Sequence, residues 1–352
     1  MPLWMLYERG GGRATKHAVA CWLKGISPWS SADRDVKRYF DAGGNGVAMR
    51  VLPHAIFYAG EDEPTLLIRD VLRDGVATHG HPRALIGATA YAFAAWWLLR
   101  NDRTVRFGEL AEVLLERQKV WGTLPKKASP KNGWLDAANR QTPGGYEALW
   151  SNVVSEMTQL LEQVRTGLAA GVIGDDDEVL RGIGCFGKSK GAGTISTAAS
   201  VYLCARYAAQ PTQAVLKAAF AHGADTDTIA AMTGGLSGAL AGNDWIPTDW
   251  LSVQDCDYIR TMANAVARGP GATQERHQDL RTVGKKDIDS LLDKLVQGRW
   301  GKSDLDGVRM SEVIDMMSLK PLSKTALARV WHIRTDDGQT IYVTKFGRRS
   351  KN

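Results

Sequence analysis

Residues 222–242 read HGADTDTIAAMTGGLSGALAG, and the reading of this stretch decides the rest. Two carboxylates, Asp225 and Asp227, stand two apart, with Thr226 between them and Thr228 following. Oxygen donors at that spacing suit a hard cation such as Mg²⁺ or Ca²⁺, and a short acidic loop supplies several while ordering little chain. Carboxylates so close repel unless a cation lies between them or one takes a proton. Taken alone, the same residues also read as a helix cap, because Asp and Thr satisfy free N–H groups at a helix start. The helix expected from Ile229 adds a second argument. Ala230, Ala231, Gly234, Gly235, Ser237, Gly238, Ala239, Ala241 and Gly242 are all small. Glycine inside a helix costs about 1 kcal/mol relative to alanine, which makes sense where neighbouring backbones must approach closely. The acidic loop is therefore expected to stand on a tightly packed floor, as a preorganised site requires.

Upstream, Pro211 to Ala221 reads as the helix that delivers the chain to this loop. Residues 184–200, GCFGKSKGAGTISTAAS, mix Gly, Ser and Lys ahead of another helix. Their amides and Lys188 or Lys190 could receive a phosphate, though the spacing is not that of a Walker loop. Residues 43–57, GGNGVAMRVLPHAIF, begin with glycines that let the backbone turn and approach a ligand. Asn45 offers both a donor and an acceptor, and alone it reads as an ordinary Asn-Gly turn. Residues 78–88, THGHPRALIGA, lead into a long apolar helix from about Arg83. His79 and His81 alternate there, as a metal pair would; the plainer expectation is one capping or core histidine and one solvated histidine.

In this order and spacing, residues 43–57, 78–88 and 222–235, with IPTDW at 246–250, resemble the ADP-ribosylglycohydrolases of the dinitrogenase-reductase-activating type. The resemblance spans residues 10–265. It implies an all-α, compact orthogonal multi-helix fold and hydrolysis of an ADP-ribosyl glycosidic bond at a two-metal site for Mg²⁺ or Mn²⁺. By the same resemblance Asp225, Asp227 and Thr228 are metal ligands. Asn45 and Gly46 line the ADP-ribose pocket, and His79 is a donor near the ribose or diphosphate. Gly191, Gly193 and Ser196 face the substrate, and no residue is assigned as the catalytic base. The implied partner is ADP-ribose, or a protein, nucleic acid or small molecule carrying it.

Family members also carry an upstream Thr-Asp-Asp stretch and an acidic residue near the N-terminus, which complete the metal site. The resemblance puts these ahead of the point where this sequence begins. The one Thr-Asp-Asp here is Thr335-Asp336-Asp337, which reads as an Asp-Gly hairpin with Gly338; a permuted chain could instead set it opposite Asp225. A two-metal clamp needs ligands from both sides. Asp225, Asp227 and Thr228 would supply half of that grip, so the alternatives are a non-catalytic ADP-ribose-binding or structural relative, or a truncated product.

The remaining chain sets the frame. Its 352 residues, 44% hydrophobic and 23% charged, suit one large globular domain with an appendage. Residues 1–268 are expected to form the helical domain, 269–284 a linker, and 285–352 a small α+β unit with a helix and a β-hairpin. Tyr146 to Leu168 has apolar positions at three- and four-residue spacing and reads as an amphipathic helix. Residues 118–145, rich in Pro, Gly, Asn and Lys, read as a long surface loop. Asp175-Asp176-Asp177-Glu178 could bind a cation, but reads rather as a solvated cap for the helix through Val179 and Leu180. Gly10-Gly11-Gly12 reads as a flexible connection, or as a phosphate cradle before a helix. Cys21, Cys185, Cys204 and Cys256 show no CxxC pairing, which points to free thiols in a reducing, cytoplasmic setting. The most apolar run, Leu85 to Leu99, is shorter than a membrane span. The net charge of +6 suits a diphosphate or nucleic acid without choosing between them. The basic tail, with Lys345, Arg348, Arg349 and Lys351, reads as a solvated end or a nucleic-acid contact.

Overall fold

Pro82–Leu99 forms an 18-residue helix that buries fifteen of its residues. A helix apolar on every side has no solvent face to offer and belongs at the centre of a bundle. The computed structural model describes residues 4–30, 33–124, 133–269, 285–304, 310–319 and 326–348. Within these, the helices are α1 (Trp4–Tyr7), α2 (Arg13–Trp22), α3 (Asp33–Phe40), α4 (Leu52–Phe57), α5 (Thr65–Val76), α6 (Pro82–Leu99), α7 (Glu109–Glu116) and α8 (Gln118–Trp121). They continue with α9 (Trp134–Gln141), α10 (Tyr146–Ala169), α11 (Asp176–Ile183), α12 (Gly193–Arg206), α13 (Pro211–Ala219), α14 (Thr226–Ala241), α15 (Cys256–Ala267) and α16 (Lys285–Val296). The expected all-α domain is present, and one hydrophobic core runs from Trp29 to Leu236.

α6 and α12 touch backbone to backbone. A Cβ on Gly87 would lie 2.3 Å from the carbonyl carbon of Gly193, and one on Gly193 would lie 2.5 Å from the Arg83 carbonyl oxygen. The hydroxyls that α12 buries are bonded: Thr197 donates to the Gly87 carbonyl and Ser200 to that of Ser196. α10 packs across the pair through Val153, Met157, Val164 and Leu168, as its spacing predicts. α14 packs against α6, α12 and α13, and its small residues divide into two groups. At Gly235 a Cβ would meet the Tyr91 hydroxyl at 2.5 Å, so close packing is real there. At Gly238 nothing lies within 4 Å, and Ala231 is exposed, so the stripe is not tight throughout.

Three sequence expectations are corrected. The loop-like stretch 118–145 contains α8 and α9, anchored by fully buried Trp121 and Trp134 whose indole N–H groups donate to the Leu114 carbonyl and the Tyr39 hydroxyl; residues 125–132 lie outside the described residues. Polar loop composition hid two aromatic anchors. In the acidic run, Asp175 does cap α11 by accepting from the Asp177 N–H, but Asp176 is buried and paired, not solvated. It accepts from the hydroxyls of Tyr202 and Tyr207 and from Arg206, joining α11 to α12. Finally, neither histidine of the His79–His81 pair is solvated: His81 is the half-buried cap of α6, accepting from the Arg83 N–H, and His79 is buried.

The C-terminal part forms a second core. An antiparallel sheet in the order β1 (Ser303–Asp304), β2 (Met310–Leu319), β3 (Ala326–Thr335), β4 (Thr340–Arg348) packs with α16. The expected hairpin is β3–β4, with Gly338 at φ +93° in its turn; β2 was not anticipated. Leu6 of α1 is buried in this second core beside Trp331, Ile341 and Val343, so the N-terminal helix is shared with the C-terminal unit. Residues 270–284, the bulk of the expected linker, and residues 349–352 of the tail lie outside the described residues. No helix among the described residues is long and apolar enough to cross a membrane, and the four cysteines are free.

Three substitution results are expected. Gly87→Ala forces a side chain into the Gly193 backbone and lowers stability by about 3 kcal/mol, whereas Gly238→Ala raises it by about 0.5–1 kcal/mol, both read by urea unfolding. Thr233 is fully buried and its hydroxyl has no partner among the described residues. Thr233→Val is therefore expected to raise stability by about 1 kcal/mol in the same assay.

Candidate functional site

The site is assembled by a short backbone pairing. The Gly193 N–H donates to the Gly43 carbonyl, Gly44 forms an antiparallel bridge with Ala192, and the Asn45 N–H donates to the Gly191 carbonyl at 2.8 Å. Glycine on both strands lets the turn after α3 lie flat against the entry to α12. The pairing fixes the Asn45 side chain. Its Nδ2 donates to Ser196 Oγ and to Asp225 Oδ2, each at 2.8 Å. One buried amide thus joins the 43–57 stretch, α12 and the acidic loop.

Asp225 occupies the N-cap position of α14 by backbone geometry, yet its side chain makes no capping bond. Its carboxylate turns to Asn45 instead, so the plain cap reading does not describe this residue. Asp225 is half-buried and Asp227 is exposed. Burial pushes the Asp225 carboxyl above its ordinary range, against the Asn45 bond, and the adjacent Asp227 pushes it the same way. Asp227 is held below its ordinary range by its hydrogen bond with Asp225 and by the Thr228 backbone N–H. Two carboxylates this close repel when both are ionised, and a divalent cation between them would relieve that repulsion. Thr228 is buried one residue further on. Two carboxylates and a hydroxyl are hard oxygen donors and fit Mg²⁺ or Mn²⁺ better than a softer metal. Lys190 Nζ donates to the Gly223 carbonyl just ahead of the carboxylate pair.

The other anticipated residues separate into two groups. Gly46 and His79 are neighbours: a Cβ on Gly46 would lie 3.2 Å from His79 Cε1 and 3.4 Å from Nε2. They adjoin Asn45 and hence the acidic loop. Gly191 stands over Asp225, where a Cβ would come within 3.2 Å of Oδ2. Ser196 is buried and bonded to Asn45. Gly193 is buried in the contact with α6, so its role in the fold is close packing. Thr335-Asp336-Asp337 closes the β3–β4 hairpin: the Thr335 hydroxyl donates to Asp337 Oδ1, and the Gly338 N–H donates to the Thr335 carbonyl. That hairpin leans on α15, where Asp255 Oδ2 accepts from the Thr340 N–H.

Two residues went unnoticed in the sequence. Arg50 donates to the Gly46 carbonyl, to Asp74 and to Thr78 Oγ1, and Thr78 Oγ1 lies 2.7 Å from His79 Nδ1. Arg50 stands four residues after Gly46 in the quoted stretch, the only hint the sequence carried.

Comparison with known proteins gives the family. No curated protein matches the chain. Among solved structures it is similar to an "ADP-ribosylglycohydrolase-related protein complex", at 20% identity and a TM-score of 0.46, over 73% of this chain and 69% of that one. A sequence model of the ADP-ribosylglycohydrolases matches residues 3–276. With more than three-quarters of its length matched, this chain belongs to the ADP-ribosylglycohydrolase family.

Proposed function

We propose that this protein hydrolyses an ADP-ribosyl glycosidic bond with the help of a hard divalent cation, Mg²⁺ or Mn²⁺. The observation that carries the proposal is the Asn45 amide shared between Asp225 and Ser196. Three segments distant in sequence converge there on a carboxylate pair whose mutual repulsion a cation would relieve. Asp225, Asp227 and Thr228 would hold the cation, which supplies Lewis-acid contact to ribose hydroxyls and an oriented water. Asn45 holds the Asp225 carboxylate in place. Gly46 and Gly191 keep the walls free of side chains so that a sugar can approach the backbone. His79 supplies a donor for an oxygen of the ligand. Burial, aided by the neighbouring Arg50, pushes the His79 imidazole down to about 3, so it stays neutral in ordinary buffers. The bond broken joins the anomeric carbon of the distal ribose to its acceptor, which is a protein, nucleic acid or small molecule.

Titration calorimetry with Mg²⁺ and with ADP-ribose, alongside release of ADP-ribose from modified arginine and serine peptides, tests this. Heat with both ligands and metal-dependent release are expected, with release falling about 10²-fold in Asp227→Ala. Asn45→Ala, which removes the support behind a ligand, is expected to weaken Mg²⁺ binding about 10- to 100-fold. Binding without release from any peptide would make the chain an ADP-ribose binder. Activity that survives Asp227→Ala would remove the metal assignment.

A further inference from the structure

His79 is 3% exposed, and its two ring nitrogens have different surroundings. Nδ1 lies 2.7 Å from Thr78 Oγ1. Nε2 faces Gly46 and has no hydrogen-bond partner among the described residues. Which nitrogen carries the proton decides what the ring offers at the Asn45–Gly46 turn, and the neighbours settle it. Thr78 Oγ1 accepts from Arg50 Nη2 at 2.9 Å. Its own proton then has two possible acceptors: His79 Nδ1, and the Gly75 carbonyl oxygen at 3.4 Å. That carbonyl already accepts the Thr78 and His79 backbone N–H groups, each at 3.0 Å, and its two lone pairs are used. The hydroxyl proton therefore goes to Nδ1, and Nε2 keeps its own.

We infer that Arg50 and Thr78 are positioning residues that hold His79 as the Nε2–H tautomer, with that single donor directed at the Asn45–Gly46 turn. Arg50 is itself fixed. Its Nε donates to Asp74 Oδ2 at 2.9 Å, its Nη2 to the Asp74 carbonyl at 2.9 Å, and its Nη1 to the Gly46 carbonyl at 2.7 Å. One guanidinium thus sets both the turn and, through Thr78, the ring that faces it. Lysine could not reproduce this fork, because an ammonium lacks the planar spread of donors. A ring offering one N–H and no acceptor on that side favours a ligand oxygen, phosphoryl or hydroxyl, over an amine. The ligand half of this inference rests on the reading under Proposed function; the tautomer half does not.

Long-range ¹H–¹⁵N spectra of the full chain with labelled histidine test it, the seven histidines being sorted by loss of one signal in His79→Gln. The expected wild-type pattern at residue 79 is an unprotonated, hydrogen-bonded Nδ1 and a protonated Nε2. Thr78→Val, which removes the hydroxyl and keeps the shape, is expected to move the Nδ1 resonance and mix the tautomers; Thr78→Ser restores the pattern. Arg50→Lys is expected to give a partial version of the Thr78→Val spectrum. A protonated Nδ1 in the wild type, or unchanged His79 shifts in a folded Thr78→Val, overturns the inference. In parallel, ADP-ribose is titrated into each variant. A loss of about 3- to 10-fold in affinity for Thr78→Val, reversed in Thr78→Ser, supports the donor's role, being the size of one neutral hydrogen bond. Equal affinity in the two variants overturns that role. Absence of ADP-ribose binding to every variant counts against the proposed function, while the tautomer pattern still decides the positioning claim.

Discussion

The arrangement depends on how closely α6 and α12 approach. Gly87 and Gly193 let the two backbones meet with no side chain between them. That contact sets where α12 begins, and the residues just before it pair with the 43–45 turn. Two of Asn45's partners, the Gly191 carbonyl and Ser196 Oγ, belong to α12 and its entry, so the position of α12 sets where the Asn45 amide meets Asp225. Close-packed interiors do not deform smoothly, so a change at the α6–α12 contact reaches the acidic loop without touching it.

The acidic loop is built to be under electrostatic tension. Asp225 is half-buried and its carboxyl is pushed up, while Asp227 is exposed and held down, so the two differ in how readily they ionise. Asn45 is the counterweight: its amide donates to Asp225 and so favours the ionised form on one side of the pair. On the far side of the turn the electrostatics run opposite. Burial, aided by Arg50, keeps His79 neutral against Gly46, while the adjacent Asn45 bonds the Asp225 carboxylate of the acidic loop.

The C-terminal sheet joins the molecule through small, specific contacts. Leu6 enters its core from the N-terminus, Arg9 lies over the Tyr342 ring, and the Thr340 N–H reaches Asp255. Asp255 has φ +59°, a left-handed backbone that Asp tolerates better than most residues, and it both begins α15 and receives the hairpin. The first and last parts of the chain are therefore packed in one hydrophobic cluster.

Much of this was legible in the residues. Local pattern was sufficient for α6, α10, the entry to α14 and the β3–β4 hairpin, since amphipathic period, apolar run length and Asp-Gly turn chemistry act over a few neighbours. The pairing of Asp225 with Asp227 and its place before a small-residue helix were equally plain. Helices α8 and α9 were not, because Trp121 and Trp134 anchor them in the core and their polar surroundings give no sign of it. Tertiary structure alone decided which small residues are tight: Gly235 meets Tyr91, while Gly238, three residues on, meets nothing. It alone made Asp176 a buried anchor, joined Asn45 to Gly191, Ser196 and Asp225, and tied Arg50 through Thr78 to His79. The physical reason is common to all of these. Hydrogen-bond partners and backbone contacts separated by up to 180 positions are set by how helices pack, and no local pattern records that.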